Sequence, residues 1–392
     1  MQKIFLNKKT LLTFFLLFII FRPQSFINYN FLDSMINFFR VIIAVMLIYK
    51  YLKLGKISVP FLLVLLIWSS YNILCLYNKT WQFSSFIKLA LPLCVVIIVE
   101  INLYNGCKSL NKALSILLLF YGIANTITIL LGFDVSSLFL GFDNDIVMMV
   151  IPMLGVMLFT SIVIHNKYTK LDIFISLIYV LDFILTWSVT AMVSLTLMYI
   201  LIFMHKINFR NLTSSKIIIY SFLMNFLVQI LKIQKYLSWI LVDLLKKDIT
   251  FSYRTYFWDA ILHAFTKSPL WGFGNYSINY IYITSTKSSL HNIIYLEGSD
   301  IGISTHNFWL YIIISGGVLG LILILIFIYT CFKNINKFHN KKESKILLSS
   351  LLGYLLCGFA ASYYAIENLV FLLLIAYHSK SIINYNNKHS NS

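Results

Sequence analysis

Charged residues are scarce in this chain. They make up 11% of its 392 residues, and only 14 residues are acidic, whereas a soluble globular domain carries about 25% charged residues. Hydrophobic residues make up 59% of the chain, aromatic residues 17%, and the mean hydropathy is +0.83. So little charge excludes a soluble globular protein, and the composition predicts an integral membrane protein.

Cysteine is also scarce, and all five cysteines lie in apolar runs or at their ends. They are Cys75, Cys94, Cys107, Cys331 and Cys357. No pair has the spacing of a metal site, so we interpret them as reduced, small apolar residues and expect neither a metal nor a cofactor. The net charge of +17 does not predict a nucleic-acid partner, because excess Lys and Arg in a polytopic membrane protein usually fixes the topology of its loops.

Long apolar runs are the dominant feature of the sequence. About 20 residues are needed to cross the hydrocarbon core of a bilayer, and we count about twelve such runs. Their extents are 4–21, 34–52, 57–77, 86–104, 110–131, 145–165, 170–187, 189–205, 215–231, 305–330, 345–362 and 365–379. The first run lacks a cleavage site and is expected to remain as a span. The sequence therefore predicts an all-α polytopic membrane protein with about 12 transmembrane helices.

The basic residues predict how these spans are oriented. The connections on one side hold 20 Lys and Arg residues, whereas the short connections on the other side hold only Arg22, Arg40, Lys79 and Lys88. Because the side rich in Lys and Arg faces the cytoplasm, both termini are predicted to be cytoplasmic. Three parts follow: nine transmembrane helices in 1–231, a large extracytoplasmic loop in 232–304, and three transmembrane helices with a cytoplasmic tail in 305–392.

The large loop is predicted to carry short helices. The stretch 232–248 has apolar residues at helical spacing, which favours either a helix on the membrane surface or one packed on the other spans. The stretch 253–267 also has a helical apolar face, and it places Arg254 and Trp258 four residues apart on one side. Pro269 is expected to end this second helix.

Two features at the end of the loop allow alternative interpretations. The glycines of the Trp271–Gly274 turn, Gly272 and Gly274, could bring amide groups to an anion or could simply permit a tight turn. His306, which starts the tenth span with Asn307, could face a polar site or could only cap the helix. Spacing alone decides neither.

Taken in order, these motifs resemble the bacterial O-antigen polymerase and O-antigen ligase superfamily, which includes the Wzy-type repeat-unit polymerases. The matching residues are Arg254, Trp258, Ser268, Pro269, Leu270, Gly272, Gly274, His306, Asn307, Trp309, Leu310, Gly316, Gly317 and Gly320. The resemblance implies a metal-independent, inverting transfer of a glycan from undecaprenyl pyrophosphate on the outer face of the bacterial plasma membrane. It implies catalytic roles for His306 and Arg254.

The resemblance also implies a substrate site and partners. We predict substrate-binding roles for Asn307, Trp258, Gly272, Gly274, Arg40 and Lys88. The expected partners are the undecaprenyl-pyrophosphate-linked oligosaccharide, membrane lipids, and the flippase and chain-length regulator of the same pathway. The predicted function is polymerisation of repeat units for a capsule, O-antigen or exopolysaccharide, and the alternatives are a ligase of the same superfamily or a lipid-linked oligosaccharide flippase.

One position departs from the pattern of the superfamily. Many members carry a Ser-Arg pair at an outer turn ahead of the loop, and Val189 stands here where that Arg would be. A second cation for the pyrophosphate must then come from elsewhere. Arg40 and Lys88 are candidates because charges within spans are costly unless they serve a purpose, although either could instead extend to the lipid headgroups.

Overall fold

The computed structural model describes residues 7–55, 57–79, 83–103, 107–134, 137–141, 143–203, 212–236, 238–244, 248–249, 254–274, 306–337, 341–359, 361 and 366–390. These residues form 13 α-helices and no β-strand. The helices are α1 (Lys8–Ile20), α2 (Asn30–Lys53), α3 (Val59–Tyr77), α4 (Phe83–Leu103), α5 (Lys108–Leu130), α6 (Asp143–His165), α7 (Lys170–Leu185), α8 (Val189–Phe203), α9 (Ser214–Gln229), α10 (Arg254–Phe265), α11 (Phe308–Lys337), α12 (Lys342–Cys357) and α13 (Ile366–Ser390).

The prediction of an all-α polytopic membrane protein is confirmed. Each of the twelve predicted apolar runs coincides with a helix, and α10 lies in the predicted large loop. Within the described residues, six helices, namely α2, α3, α5, α6, α11 and α13, are long and apolar enough to cross a membrane by themselves. The number of twelve spans and the three-part division of the chain therefore stay predictions.

The bundle has a buried centre and an apolar exterior. Most of α6 is buried, and it packs against α5, α12 and α13. On the outside of the bundle, α2 exposes large apolar side chains such as Phe31, Val45 and Met46, each more than 60% exposed. Large apolar side chains facing outward along a whole helix suit contact with lipid tails and would be unstable in water.

Contacts near helix ends fall into two groups. At one end of the bundle, the C-terminal end of α9 and the residues following α12 contact the N-terminal end of α11. At the other end, Tyr51 and Glu100, near the ends of α2 and α4, are joined by a hydrogen bond of 2.7 Å, and His378 of α13 lies 3.3 Å from the same carboxylate. The first group belongs to the face predicted to be extracytoplasmic, and we call it the outer end.

The described parts of the large loop are shorter helices than predicted. The stretch 232–248 contains a 3₁₀ turn at Ile233–Lys235 and a π-helical turn at Trp239–Leu244, in place of one continuous helix. The exposed side chains of Tyr236 and Trp239 are of the type found at membrane interfaces. The second predicted helix is α10, and the segment 275–305 lies outside the described residues.

Candidate active site

Helix α11 is interrupted at the outer end, and the turn that follows α10 fills the interruption. Gly317 has a non-helical backbone (φ 61°, ψ −162°), so the amides of Val318 and Leu319 cannot reach the carbonyls of Ile314 and Ser315. The turn supplies the missing partners in both directions. Pro269 and Leu270 accept from Val318 and Leu319 at 2.9 and 3.2 Å, while Phe273 and Gly274 donate to Ile314 and Ser315 at 2.8 and 2.7 Å.

This exchange of four hydrogen bonds keeps the broken backbone satisfied. A non-helical segment within a membrane protein is stable only where it is buried in protein with its polar groups paired, or where it lines a water-filled cavity. The turn Ser268–Gly274 is therefore a fixed part of the helical bundle. It also closes on itself, because the amide of Gly272 donates to the carbonyl of Ser268 at 2.9 Å.

Helix α10 is held over this turn by a small apolar cluster. Trp258 and Ile261, both 0% exposed, pack with Phe273 of the turn, with Leu310 and Ile314 of α11, and with Phe359 after α12. The rings of Trp258 and Phe359 meet edge to face, with centroids 5.3 Å apart. The cluster fixes the start of α10, where Arg254 stands, relative to the start of α11, where His306 and Asn307 stand.

His306 lies within electrostatic range of Arg254 although 51 residues separate them in the chain. His306 precedes α11 with a left-handed backbone (φ 43°) and a half-buried side chain. Burial, as the larger cause, and the Arg254 cation together lower the pKa of His306 from 6.5 to about 4. The imidazole is therefore neutral at pH 7, which leaves a ring nitrogen able to accept a proton or a hydrogen bond beside a permanent cation.

Asn307 belongs to a buried hydrogen-bond network at the outer end. Its side-chain oxygen accepts from the Leu310 amide at 3.0 Å and so caps α11, while its Nδ2 donates to the Asn225 Oδ1 at 2.6 Å and to the Phe359 carbonyl at 3.1 Å. Gln229 Nε2 also donates to Asn225 Oδ1, at 3.0 Å. The amide hydrogens of Asn307 are thus both used within the protein.

Sequence reasoning missed the contribution of α9 to this network. Ser221, Asn225 and Gln229 recur every four residues in an otherwise apolar helix, all three are buried, and Ser221 accepts from the Trp309 indole at 2.8 Å. Polar side chains within apolar spans face other helices. Their spacing was the signal that could have found this stripe.

Residues 174–325, which run from α7 into α11, match the protein family described as O-antigen ligase. This segment, which is less than half of the chain, is similar to the O-antigen ligase and polymerase superfamily. The match includes α10, the Ser268–Gly274 turn, His306 and the interruption of α11. No curated protein and no solved structure shows significant similarity to the chain. The resemblance inferred from the motifs is confirmed at this level.

The structure gives the other predicted substrate-binding residues of this segment contacts within the protein. The amides of Gly272 and Gly274 donate to Ser268 and Ser315, and the ring of Trp258 is fully enclosed. Their part in substrate binding stays a prediction, and the geometry described here explains these positions by docking of the turn.

Val189 marks the position where many superfamily members carry an Arg. It begins α8 after a turn in which Trp187 is 70% exposed with a left-handed backbone (φ 52°). A cation that replaced the missing Arg would have to lie at the same outer end of the bundle.

Arg40 is a buried cation at the outer end, outside the segment that matches the family. It is 6% exposed, and its Nε and Nη2 donate to the carbonyls of Ile19 and Ile20 at 2.9 and 2.8 Å. It therefore caps the C-terminus of α1 and does not extend to the headgroups. Glu367, at the start of α13, lies within electrostatic range of it. The side chain of Lys88, in α4, lies outside the described residues.

Groups of three or more His, Cys, Asp or Glu side chains that could hold a metal ion are absent from the described residues. The metal-independent reaction that the superfamily implies stays a prediction, which a chelator control can test. All five cysteines are buried thiols that form no disulfide.

Proposed function

We propose that the protein polymerises oligosaccharide repeat units carried on undecaprenyl pyrophosphate, on the outer face of the bacterial plasma membrane. The observation that carries the proposal is that Arg254 lies within electrostatic range of His306 in the segment that matches the O-antigen ligase family. The product is a surface polysaccharide: a capsule, an O-antigen or an exopolysaccharide.

His306 suits the acceptor hydroxyl of the reaction, and Arg254 suits the pyrophosphate leaving group. The acceptor hydroxyl oxygen forms a bond to the anomeric carbon of the growing glycan as the bond from that carbon to the pyrophosphate oxygen breaks, with inversion. Undecaprenyl pyrophosphate leaves with the bonding electron pair, and Arg254 offers it a planar pair of donors. A preorganised donor of this kind lowers a barrier by about 3–4 kcal/mol.

Neutral His306 can orient the acceptor hydroxyl and take its proton. A pKa near 4 makes the free imidazole a weak base. Binding of the pyrophosphate would offset the positive charge of Arg254 and raise the pKa of His306, because a nearby anion favours the imidazolium. The base would thus become stronger when the substrate is in place.

An apolar groove near the interruption of α11 supports a lipid-linked substrate. It is open to its surroundings and contains about 390 Å³ of space, open solvent included, between α3, α4, α11 and α13, and Tyr71 and Phe327 are among its lining residues. Tyr71 also packs against Gly316, beside the interruption. An isoprenoid chain in this groove would place its pyrophosphate end toward the outer end of the bundle, where Arg254 stands.

A ligase is the second candidate, and the description of the matching family, O-antigen ligase, favours it. A ligase would use the same His306 and Arg254 but would transfer the finished glycan to another acceptor. The flippase alternative remains as a third outcome of the experiment. A flippase would move the lipid-linked unit across the membrane and would form no glycosidic bond.

The decisive experiment is reconstitution of the purified protein in liposomes with a synthetic undecaprenyl-pyrophosphate repeat unit. Polymerisation predicts a ladder of lipid-linked chains that forms with a chelator present and disappears in His306→Ala. Transfer only to a different added acceptor would assign the ligase. Movement of the unit between leaflets without chain growth would identify the protein as a flippase. Deletion of the gene in cells would then leave single units on the inner face of the membrane.

The expected partners follow from this placement. The flippase supplies units at the outer face, and a chain-length regulator would act on the same growing chain, so both are proposed partners in the membrane. The cytoplasmic location of both termini, which the distribution of Lys and Arg predicts, can be tested with reporter fusions at each end.

A further inference from the structure

Asn225, in α9, makes three hydrogen bonds in a buried position, and one of them reaches the residue after His306. Its Oδ1 accepts from Asn307 Nδ2 at 2.6 Å and from Gln229 Nε2 at 3.0 Å, and its Nδ2 donates to the Ser221 carbonyl at 2.7 Å. The donor to Ser221 fixes which end of the amide faces Asn307. Asn225 is therefore an acceptor aimed at the start of α11.

The backbone at His306 requires such support. A left-handed backbone is uncommon for a residue other than glycine and persists only where its surroundings hold it. Here the next two residues are fixed from both sides: Asn307 by Asn225 and by the Phe359 carbonyl, and Phe308 by an amide hydrogen bond of 2.7 Å to Gly358. The imidazole of His306 projects from this fixed point.

We propose that Asn225 is a positioning residue for the transfer reaction: by holding Asn307, it fixes the backbone and the imidazole of His306. The inference rests on the proposed function for its catalytic consequence, but the position of the imidazole can be measured without any activity. Asn225 itself touches no reacting atom in this arrangement. Its effect passes through the peptide bond that joins His306 to Asn307.

Loss of the Asn225 side chain has a definite expected consequence. Asn307 Nδ2 would lose its shorter hydrogen bond in a buried place, and the left-handed turn would relax. The imidazole would then become more accessible to solvent and would move away from the cation. A displacement of about 1 Å at a reacting group can lower the rate roughly a hundredfold.

The chain offers a closely matched control. Asn102, in α4, is also buried, donates to a carbonyl four residues earlier (Ile98, 2.9 Å), and accepts from Thr13 and Ser109 at 3.0 and 3.3 Å. It has three hydrogen bonds, as Asn225 has, but they join α1, α4 and α5 and involve neither α9 nor α11. Loss of this asparagine should affect the fold without affecting His306.

The test compares Asn225→Ala, Asn307→Ser and the double variant with Asn102→Ala in the full-length protein in detergent. Asn307→Ser removes the same hydrogen bond from its other end while keeping a residue that can cap α11. The readout is the rate at which diethylpyrocarbonate modifies His306 at pH 8, followed on the His306 peptide by mass spectrometry. At pH 8 the imidazole is neutral in every variant, so the rate reports access.

In both single variants, diethylpyrocarbonate should modify His306 at least about tenfold faster than in the wild type. In the double variant, the modification should be no faster than in either single variant, because both substitutions remove the same interaction. Asn102→Ala should match the wild type. If Asn225→Ala fails to fold, Asn307→Ser decides alone. Unchanged modification in the folded variants, or equal acceleration in Asn102→Ala, would overturn the inference.

The same variants separate this inference from the proposed function. In the liposome assay, Asn225→Ala should lower the chain-extension rate per folded molecule, roughly a hundredfold, with a much smaller change in KM. If the wild type extends no chains but His306 still becomes accessible in Asn225→Ala, the proposed polymerase is wrong and the positioning role stands.

Discussion

Gly272 and Gly317 lie so close together that neither position has room for a side chain. A Cβ atom on Gly272 would lie 2.5 Å from the Gly317 nitrogen, and a Cβ on Gly317 would run into the carbonyl of Leu270. Both glycines also have left-handed backbones (φ 69° and 61°). The turn can exchange hydrogen bonds with the interrupted helix only because both surfaces are bare backbone.

We therefore expect Gly272→Ala and Gly317→Ala each to disrupt this docking. The left-handed backbone costs a substituted residue about 1–2 kcal/mol, and the overlap adds about 1–3 kcal/mol. Gly55→Ala is a suitable control, because Gly55 has a similar φ of 64° with nothing within 4 Å of its Cβ position. Thermal unfolding in detergent should show a larger fall in Tm for Gly272→Ala and Gly317→Ala than for Gly55→Ala; equal falls would refute the docking argument.

The pH dependence of the reaction should report the environment of His306. With a pKa near 4, the imidazole of the free enzyme stays neutral as the pH falls from 8 to 5, so kcat/KM should hold over this range and fall only near pH 4. The Arg254→Gln substitution removes the cation, which is one cause of the lowered pKa of His306, but leaves the imidazole buried. The midpoint should rise toward 6.5 without reaching it.

Arg254→Lys serves as the control in the same pH series. Lysine keeps the positive charge, so the acid midpoint should stay near that of the wild type, but it lacks the planar pair of donors and the rate should fall. The measurement is kcat/KM from pH 4 to 8, normalised to folded protein. An acid midpoint in Arg254→Gln identical to that of the wild type would contradict the pairing of Arg254 with His306, and a wild-type rate in Arg254→Lys would contradict the bidentate role.

The sequence predicted the membrane bundle and the motif order because both depend on local patterns. Each apolar run indicates one helix by itself. The order of the motifs, from Arg254 through the glycines to His306, is visible along the chain. The four-residue spacing marks Asn225 as part of a polar stripe on α9, but its contact with Asn307 could not be found in that way, since the contact is set by how α9 packs on α11. The interruption at Gly317 was hidden for the same reason: small residues in an apolar helix also permit simple close packing.

Trp258 and Trp271 should respond to substitution in opposite ways. Trp258 is fully buried in the cluster that holds α10, whereas Trp271 is 59% exposed. Trp258→Ala should cost about 3–5 kcal/mol of stability, while Trp271→Ala should stay within about 0.5 kcal/mol. Unfolding in detergent tests both. A binding role for Trp258 would instead appear as a raised KM in Trp258→Phe with stability largely kept.

Substitutions of Arg40 test whether the second cation of the site lies on α2. If Arg40 only caps α1, Arg40→Met should cost about 1–3 kcal/mol for each of the two carbonyls left without a donor, and KM per folded molecule should not change. If it also binds pyrophosphate, KM for the lipid-linked unit should rise in Arg40→Lys, because a point charge cannot serve both carbonyls and a phosphate.

Arg22→Lys is the control for this test, since Arg22 pairs with Asp33 near Arg40. This substitution also replaces a guanidinium group by an ammonium group at the outer end, but it leaves the cap of α1 in place. A KM that rises for Arg40→Lys but not for Arg22→Lys would place the second cation on α2. An unchanged KM in both variants would leave Arg40 with the role of a cap, and the cation that replaces the Arg missing at Val189 would then have to be Lys88 or a residue of the large loop.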